Sequence, residues 1–410
     1  MRKALVIGGG IGGPAVAMAL RKAGIEPVVY EAYRSGDGQV GAYLTVAVNG
    51  LDALRAIDAH RPVLAAGFPS GTLAFYGTSG RHLASLPIGG TLPDGTITHS
   101  VKRRDLYRVL NEEAVRRGVR YEYGKRLVDA EPTADGGVLA RFADGTQARG
   151  DLLIGADGIH SRTRALIDPA APRPRYLGLT GVGGFARVPS LALSPGTYRM
   201  LFGRRAFFGY LGSPDGEIWW FANLAAERER TRAELAAVSA AEWKRELVEL
   251  AAADRSPLTE IIDGTPDAEL VPGFNQYDMP TVPTWHRGPM VLIGDAGHAV
   301  ASSSGQGASM AIEDAVVLAK CLRDLPDTAA ALRAFEALRR DRVERVVEHG
   351  AKTSADKATS GLARVVTNLL TPYFLRRAAR AGIGSLSWMF DHRIDWAEPV
   401  AVGSATVGRG

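Results

Sequence analysis

Residues 3–31 read KALVIGGGIGGPAVAMALRKAGIEPVVYE, and this stretch decides the first part of the fold. The apolar run Lys3–Ile7 predicts a buried strand, which three glycines end at once. Apolar residues at helical spacing then predict the buried face of a helix: Val16, Ala19, Leu20 and Ala23. Gly24 is typical of a helix end, and Pro27–Tyr30 predicts a second buried strand. The stretch therefore predicts the beginning of an α/β fold.

The turn between the first strand and the helix has the pattern G-x-G-x-x-G, running from Gly8 through Gly10 to Gly13. The first glycine allows the tight turn, the second lets a pyrophosphate approach the backbone, and the third lets the helix pack closely. Glu31 follows 18 residues after Gly13, where the hydroxyl groups of a ribose need an acceptor. The pattern predicts a dinucleotide site, and the carboxylate of Glu31 favours FAD or NAD over a cofactor with a 2′-phosphate.

A second stretch, residues 290–315, has a related organisation: MVLIGDAGHAVASSSGQGASMAIEDA. Met290–Ile293 predicts a buried strand that ends at Gly294 and Asp295, and a loop of small residues follows. After that loop, apolar residues at helical spacing predict a second helix face: Ala308, Ala311, Ile312, Ala315, Val316, Ala319 and Leu322. The start of a helix carries partial positive charge and unpaired N–H groups, so this stretch predicts a site for an anion or a partly anionic carbonyl.

The chain between these two stretches changes character near residue 173. Before that point, Asp151–Ile154 predicts another buried strand, which ends close to Asp157 and Gly158. After it, three strands rich in aromatic residues are predicted: Tyr176–Val188, Tyr198–Tyr210 and Ile218–Leu224. The sequence therefore predicts a discontinuous nucleotide-binding domain, residues 1–172 and 284–350. It predicts an antiparallel-sheet lobe inserted at residues 173–283 and a helical segment at residues 351–410.

Composition excludes several classes of function. The 410 residues carry a net charge of +5, with basic and acidic residues alternating as in residues 339–345, RRDRVER, which we interpret as a solvated helix surface. Nucleic-acid binding is not expected, because it needs a one-sided basic patch. The single cysteine, Cys321, excludes a disulfide framework and a cysteine-based metal site, and no metal is expected. No apolar run is long enough to span a membrane, so a cytoplasmic protein is expected.

Four motifs in order carry a family resemblance: RRDL at residues 103–106, GADGIHSRTR at 155–164, TWHRGPMVLIGDAGH at 284–298 and GQGASMAIEDA at 305–315. Together with the glycine loop, they resemble the single-component FAD-dependent aromatic hydroxylases of the p-hydroxybenzoate hydroxylase type, the class A flavoprotein monooxygenases. The resemblance covers nearly the whole chain. It implies an α/β protein with a Rossmann-like FAD-binding domain, an inserted antiparallel-sheet substrate lobe and C-terminal helices.

The resemblance also implies roles for individual residues in binding the cofactor. The pyrophosphate is expected at the glycine loop, formed by Gly8, Gly10, Ile11, Gly12 and Gly13. Glu31 is expected to bind the adenosine ribose, Arg103 the flavin nucleotide, and Gly294 with Asp295 the ribityl chain. Asp157 and Gly158 are expected to take part in binding both FAD and NADPH. The backbone N–H groups of Gly305, Gln306 and Gly307 are expected to face the N1–C2=O edge of the flavin.

The reaction that the resemblance implies begins with reduction of FAD by NADPH or NADH. O₂ then adds at flavin C4a, and the resulting hydroperoxide transfers one oxygen atom to an aromatic or polycyclic small molecule. Ser302 stands where the family usually has a proline, beside the expected position of C4a and N5, and Tyr210 is a candidate to polarise a phenol. These two residues are the candidate catalytic side chains, whereas His298 is expected to be structural.

The substrate is expected between the inserted sheet and the flavin, where aromatic side chains stack on flat molecules. The candidate pocket residues are Phe185, Phe208, Tyr210, Trp220 and Phe221. Two alternatives stay open at this point. One is an FAD-holding cyclase or isomerase without oxygen transfer, which Ser302 suggests, and the other is a non-catalytic flavin-binding protein.

Overall fold

The computed structural model describes residues 2–34, 41–355 and 386–400. Its helices are α1 (Gly12–Lys22), α2 (Val48–Ala56), α3 (His60–Ala66), α4 (Arg103–Arg116), α5 (Arg162–Ile167), α6 (Arg232–Ala236), α7 (Ala240–Ala251), α8 (Leu258–Asp263), α9 (Asp295–His298), α10 (Gly307–Asp324), α11 (Thr328–Ala355) and α12 (Ser387–Phe390), with 3₁₀ turns at Asp267–Glu269 and Ser302–Ser304. Its strands are β1 (Lys3–Ile7), β2 (Glu26–Glu31), β3 (Tyr43–Val46), β4 (Gly67–Pro69), β5 (Thr72–Tyr76), β6 (His82–Pro87), β7 (His99–Lys102), β8 (Arg120–Tyr123), β9 (Leu127–Pro132), β10 (Val138–Phe142), β11 (Gln147–Gly150), β12 (Leu152–Gly155), β13 (Arg175–Ala186), β14 (Thr197–Phe202), β15 (Phe207–Gly212), β16 (Ile218–Ala225), β17 (Leu270–Asp278), β18 (His286–Arg287) and β19 (Met290–Leu292).

A six-stranded sheet in the order β18-β19-β12-β1-β2-β8 forms the centre of the nucleotide-binding part. All its neighbouring strands pair in parallel except β18 with β19. β1, β12 and β19 consist almost entirely of buried apolar residues, as strands covered by helices on both faces must. Because these three strands are parallel neighbours, their carboxyl ends meet, and they lead into the loops at Gly8, Asp157 and Gly294. Ligands of open parallel sheets bind at such an edge.

Helix α10 is the central helix of this part, and it packs against α1, α2 and α11. Every residue from Ser309 to Leu322 is buried, including two adjacent carboxylates, Glu313 and Asp314. A Cβ on Gly307, the first residue of α10, would lie 3.9 Å from Oδ1 of Asp295, so the helix starts beside the carboxyl end of β19.

A seven-stranded sheet in the order β17-β13-β16-β15-β14-β5-β6 forms the lobe. Its pairs are antiparallel except for β14 with β5. Helices α7 and α8 pack on one face of this sheet through residues that include Trp243, Leu247 and Ile261. Strands β5 and β6 come from residues 72–87, so the segment predicted at 173–283 does not supply the whole sheet. The division of the chain into domains stays a prediction.

Two smaller sheets complete the structure: β11-β10-β9 and β3-β7-β4. The second of these lies against the lobe, since the ring of Tyr43 on β3 is 5.4 Å from that of Trp219 on β16. This contact joins the nucleotide-binding part to the lobe on the face of the lobe sheet opposite α7 and α8.

The predicted α/β architecture is confirmed, and several predicted elements differ in detail. The strand predicted over Tyr198–Tyr210 is the hairpin of β14 and β15. The predicted loop between β19 and α10 contains α9 and a 3₁₀ turn. In the C-terminal segment, residues 356–385 and 401–410 lie outside the described residues, and only the short α12 is helical in residues 386–400.

Within the described ranges, none of the helices has the length and apolar character needed to cross a bilayer. The same ranges contain no cluster of three or more histidine, cysteine, aspartate or glutamate side chains able to hold a metal ion.

Candidate functional site

The glycine loop after β1 shows three different reasons for its glycines. Gly8 has φ +105°, and a Cβ placed there would lie 2.5 Å from the carbonyl oxygen of Ala156. A Cβ on Gly13 would lie 1.9 Å from the carbonyl oxygen of Gly8. A Cβ on Gly10, in contrast, would meet no atom within 4 Å. The protein itself therefore requires Gly8 and Gly13, whereas Gly10 keeps open a space that a ligand can occupy.

The N-terminus of α1 borders this open space. Ile11 is its N-cap residue, no side chain caps the helix, and its first turn contains no acidic residue. A Cβ on Gly12 would be in ordinary contact with Ile293, 3.5 Å away, so this glycine is not forced by packing. An uncapped helix start without a competing carboxylate suits a pyrophosphate.

Glu31 lies next to the same loop. Its Oε2 accepts a hydrogen bond from the backbone N–H of Gly9 at 2.6 Å, and its Oε1 accepts one from the N–H of Tyr33 at 2.9 Å. Each carboxylate oxygen can accept a second hydrogen bond, so Glu31 keeps the capacity to bind a ribose hydroxyl. Asn111 on α4 supports the loop from the other side, where its Nδ2 donates to the carbonyl of Gly9 at 3.1 Å.

Asp157 organises the loop after β12. Its carboxylate accepts hydrogen bonds from the Ser161 hydroxyl at 2.6 Å and from the N–H and hydroxyl of Thr163 at 2.9 and 3.0 Å. Those contacts turn the carboxylate toward the start of α5. Gly158 has φ +75°, and a Cβ placed there would meet no atom within 4 Å. Asp157 therefore shapes the loop, and Gly158 is the residue that presents open space to a ligand.

The loop after β19 presents a carboxylate. Gly294 has φ +57° and donates its N–H to Oδ2 of Asp314 at 2.9 Å, and a Cβ there would lie 2.8 Å from that of Ala311. The half-buried carboxylate of Asp295 accepts no hydrogen bond from any described residue. Burial raises the pKa of the Asp295 carboxyl, and the charges of Arg103 and His298 oppose that shift. A carboxylate in this state suits a hydroxyl donor such as a ribityl chain.

Arg103, the first residue of α4, lies near Asp295. Its Nε donates to the hydroxyl of Tyr107 at 2.9 Å, and its guanidinium is 5.4 Å from the centre of the Tyr107 ring. Tyr107 therefore holds Arg103 in one orientation. Arg103 and Asp295 are distant in the sequence but close enough in space for the charge of Arg103 to lower the pKa of the Asp295 carboxyl.

The N-terminus of α10 is also uncapped, with Gln306 as its N-cap residue and Gly305 before it at φ +63°. A Cβ on Gly307 would lie 3.9 Å from Oδ1 of Asp295, so the helix start and this carboxylate are side by side. Gln306 is fully buried, its Oε1 accepts from Nδ2 of Asn49 at 3.0 Å, and its Nε2 has no partner among the described residues. A buried, unpaired donor is costly unless a ligand accepts its hydrogen bond.

A buried ionic network supports both loops. Arg339 donates to Glu313 at 2.6 Å and to Asp314 at 2.7 Å, and Arg342 donates to both oxygens of Glu313 at 2.8 Å. Burial alone would raise the pKa of the Glu313 carboxyl, but the two guanidinium groups outweigh it and lower that pKa to about 2. Glu313 also accepts from Nδ2 of Asn49 at 2.7 Å, so the network reaches Gln306 through Asn49.

The interpretation of residues 339–345 as a solvated surface is wrong for Arg339, which is fully buried, and for Arg342, which is half-buried. The two arginines are three residues apart, so they lie on the same face of α11 as Val343 and Val346. That face packs against α10, where Glu313 and Asp314 provide the opposite charge.

His298 takes part in the same network and not in the open site. Its Nε2 lies 2.5 Å from Oδ2 of Asp314, and its ring lies 5.5 Å from that of Trp285. Since Asp314 has a lowered pKa and is ionised, Nε2 carries the proton and donates. This placement agrees with a structural role.

The predicted substrate-pocket residues divide between the two faces of the lobe sheet. Phe208, Tyr210 and Trp220 pack against α7 and α8, away from the nucleotide-binding part, so the prediction that they line a pocket is corrected. The reason is strand alternation, which places neighbouring residues on opposite faces. Phe185 and Phe221 lie on the other face, with ring centres 6.5 and 6.2 Å from that of Tyr43.

The two candidate catalytic side chains also separate. Tyr210 is buried on the helix-covered face, and burial raises its pKa to about 12, so it is corrected as a candidate to polarise a substrate. Ser302 is exposed in the turn before α10, and its hydroxyl donates to Oε1 of Gln276 at 2.8 Å. Gln276 in turn donates to Oδ1 of Asn223 at 2.6 Å. The catalytic role of Ser302 stays a prediction.

Several residues of the site were not identified from the sequence: Asn49, Asn111, Asn223, Gln276 and Arg339. Asn223 and Gln276 each alternate with aromatic residues in a strand, and this polar position in an apolar strand is the signal that was available. Asn49 and Arg339 had no local signal, because their partners lie hundreds of residues away or on another helix.

Comparison with known proteins matches residues 1–350 to the family described as FAD binding domain. The chain is 34% identical over 357 residues to an FAD-dependent urate hydroxylase of Klebsiella pneumoniae subsp. pneumoniae, which covers 84% of this chain and 88% of that protein. It is 30% identical over 343 residues to the aurachin C monooxygenase/isomerase of Stigmatella aurantiaca, covering 82% and 85%. The crystal structure of Klebsiella pneumoniae HpxO complexed with FAD and uric acid has a TM-score of 0.81 and 28% identity, covering 94% and 96%.

Proposed function

The chain belongs to the FAD-binding domain family and is a flavin-dependent monooxygenase, and from this premise we propose that it uses NADPH or NADH and O₂ to oxygenate a small aromatic or polycyclic molecule. The observation that carries the proposal is that two helix starts without a side-chain cap, those of α1 and α10, lie together beside the carboxylate of Asp295, to which no described residue donates a hydrogen bond. One suits the pyrophosphate of FAD and the other suits the anionic reduced flavin.

Three features of the described residues fit FAD. Gly10 keeps a space that the packing of the protein does not require. Gln306 Nε2 and Asn49 Oδ1 are buried polar atoms without partners in the described residues. A flavin edge carries both donors and acceptors, so it can satisfy atoms of both kinds. These three observations support the assignment of the cleft to FAD.

When bound, FAD supplies the redox and oxygen-transfer chemistry, and the protein supplies binding, electrostatics and exclusion of water. The start of α1 and Gly10 would hold the pyrophosphate, Glu31 the ribose and Asp295 the ribityl hydroxyls. The start of α10 would stabilise negative charge by ~0.3–1 kcal/mol, and by up to ~2 kcal/mol in a partly buried geometry. The upper value corresponds to roughly a thirty-fold bias toward an anionic form.

The substrate would lie between this cleft and the face of the lobe sheet that carries Phe221. The side chains on that face are largely aromatic, so they would stack on a flat ring and keep bulk water away from the reacting carbon. Ser302 lies at the boundary between the two, and its hydroxyl is already bonded to the lobe through Gln276.

The experiment is to purify the protein with its FAD and to measure NADPH, NADH and O₂ consumption with a panel of phenols, indoles and polyketides. A monooxygenase consumes both co-substrates in a substrate-dependent way and yields a product heavier by one oxygen atom. If neither consumption rises with any member of the panel, the proposal fails. The mass of the product also tests a second activity.

A rearrangement activity is the second candidate, because one relative is named a monooxygenase/isomerase. An FAD-holding isomerase would give a product of unchanged mass without O₂ uptake, so the same assay separates the two. The cytoplasmic location expected from the sequence stays a prediction.

A further inference from the structure

One face of the lobe sheet points toward the nucleotide-binding part, and we call it the inner face. Strand pairing places many apolar residues on it, including Phe75, Met200, Phe202, Phe207, Phe221 and Phe274. Its direction is shown by contacts across the cleft. The ring of Phe221 is 6.2 Å from that of Tyr43, and a Cβ on Gly183 would lie 3.4 Å from that of Ala42.

Two carboxamides interrupt this apolar face, and they form a chain with Ser302. The Ser302 hydroxyl donates to Oε1 of Gln276 at 2.8 Å, and Nε2 of Gln276 donates to Oδ1 of Asn223 at 2.6 Å. Both amides are buried, at 6% and 4% exposure. The two amide oxygens each accept a hydrogen bond from the preceding member of this hydrogen-bonded series. Nδ2 of Asn223 is therefore left as the donor at its end, without a partner in the described residues.

Two cations near the ends of this face are neutralised by carboxylates, and a third lies on the opposite face. Lys102 is paired with Glu217 at 2.6 Å, and Arg175 is paired with Asp278, also at 2.6 Å. Arg199 is opposite Tyr210 in the strand register and therefore lies on the face covered by α7 and α8. Arg104 is the exception, since its guanidinium is 6.0 Å from the ring of Phe185. Phe185 pairs with Trp219, four residues and about 13 Å along β16 from Asn223. A ligand carboxylate bound beside Asn223 would lie far from that charge, and burying a poorly paired carboxylate is costly.

We infer that Asn223 selects an uncharged, planar aromatic substrate that carries an oxygen acceptor, such as a phenolic oxygen or a ring carbonyl. Nδ2 of Asn223 donates to that oxygen, and the aromatic inner face stacks on the ring. Gln276 and Ser302 are positioning residues that fix the Asn223 amide. This inference rests on the proposed function, since it names the substrate class of the same site.

The serine at position 302 has a physical purpose in this arrangement. A proline there would have no hydroxyl, so Oε1 of Gln276 would lose its donor and the pair of amides would lose the hydrogen bond that fixes its orientation. The residue that departs from the family pattern is therefore the one that connects the flavin-side loop to the substrate-side sheet.

The test uses the FAD-loaded protein and a matched pair of probes, 4-hydroxyquinoline and 4-hydroxyquinoline-2-carboxylate. They share a ring system and differ in the carboxylate. Binding is measured by perturbation of the flavin absorbance, and turnover by NAD(P)H and O₂ consumption. The uncharged probe is expected to bind at least about ten-fold more tightly. Equal or tighter binding of the carboxylate, or no perturbation by either probe, overturns the inference.

Variants test the residues themselves. Asn223→Leu is expected to lower the affinity for the uncharged probe by about ten-fold, because one hydrogen bond in a buried site is lost. Asn223→Asp keeps the size of the side chain and is expected to lower that affinity at least as much. It replaces the leucine variant in the test if the leucine variant does not fold. Ser302→Ala is expected to lower the preference for the uncharged probe, and Ser302→Thr to restore it by restoring the hydroxyl. An unchanged preference in both Asn223 variants overturns the inference.

The two levels of the hypothesis fail in different ways. The uncharged probe could bind with the expected preference while neither it nor any member of the wider panel stimulates O₂ consumption. In that case the oxygenation proposal fails and the recognition role of Asn223 stands. If O₂ consumption is stimulated equally by both probes, the monooxygenase stands and the inference about Asn223 fails.

Discussion

Oε1 of Gln306 accepts a hydrogen bond from Nδ2 of Asn49 at 3.0 Å, and this contact fixes the orientation of the Gln306 amide. The same Nδ2 donates to Glu313 at 2.7 Å. Glu313 is ionised and accepts only, so Asn49 must present its NH₂ group on that side. Gln306 must then offer its oxygen to Asn49, which leaves its own NH₂ group for a ligand.

Gln306→Glu tests this donor with almost no change in shape. The variant keeps an oxygen for Asn49 but replaces the unpaired donor with an acceptor, beside the carboxylate of Asp295. The affinity for FAD is expected to fall by about ten-fold or more, as for the loss of one hydrogen bond in a buried site. Fluorescence quenching of FAD titrated into apoprotein measures the affinity. Gln147→Glu, on an exposed strand, is the control, and an equal effect in both variants would refute the role of Gln306.

Gly10→Ala and Gly13→Ala separate ligand binding from folding within one motif. A methyl group on Gly10 meets no protein atom, so the apoprotein is expected to keep its melting temperature while FAD binding falls. A methyl group on Gly13 collides with the Gly8 carbonyl, so that variant is expected to be destabilised by several kcal/mol. Thermal unfolding of both apoproteins and FAD titration make the comparison. A folded Gly13→Ala protein as stable as the parent would contradict the packing argument.

Arg339→Met removes the guanidinium that joins Glu313 to Asp314. Breaking a buried charge network from one side is expected to cost about 3–5 kcal/mol, because the carboxylates lose their counter-charge. Arg333→Met, on an exposed turn of the same helix, is expected to change stability by less than about 0.5 kcal/mol. Urea unfolding of both variants measures the free energies. Similar values for the two positions would show that the network does not stabilise the fold.

The same network predicts a dependence of stability on pH. The pKa of Glu313 is lowered from 4.5 to about 2 and that of Asp314 from 3.8 to about 2. A lowered carboxyl pKa gives a contribution that is present above the ordinary pKa and is lost as pH falls toward the lowered one. For Glu313 the loss between about pH 5 and 2 is on the order of 3 kcal/mol.

The measurement is the free energy of unfolding of the parent and of Glu313→Gln at a series of pH values. The parent should be the more stable at pH 6, and the difference should shrink as pH falls to 2. A difference independent of pH would mean that the titration of Glu313 does not contribute.

Asp295 is expected to bind the cofactor but to lower the stability of the apoprotein. Burial raises the pKa of its carboxyl, so the ionised form costs more free energy than it would in water when no ligand donates to it. Asp295→Asn should therefore raise the melting temperature of the apoprotein, while Asp295→Ala should yield protein largely without FAD. Full retention of FAD by Asp295→Ala, read from the absorbance of the purified protein, would contradict the assignment.

The parts of this molecule that the sequence predicted well are those in which neighbours in the chain are neighbours in space. Gly8, Gly10 and Gly13 act within one turn, and Gly294 and Asp295 follow directly from a strand. Local pattern is enough for such elements, and the resemblance in four motifs supplied the order in which they assemble.

The parts that were predicted wrongly depend on which face of an element meets a partner. Trp219 and Trp220 are equally aromatic, and only the strand register shows that Trp220 faces α7 and α8. Arg339 looked solvated because its own helix is rich in charge, and its partners are on α10. Composition and motifs do not show which other helix or strand packs against a residue. These assignments therefore required the three-dimensional structure.

The position of β19 in the parallel sheet has a consequence for how the nascent chain folds. β12 pairs with β19, which is synthesised only after the whole segment between them, on the order of ten seconds later at ribosomal rates. Until then one edge of β12 is unpaired, and such an edge is prone to aggregation. A substitution that slows folding of the lobe would prolong that interval. The yield of folded protein would then fall because the unpaired edge of β12 aggregates, although the substitution lies outside that sheet.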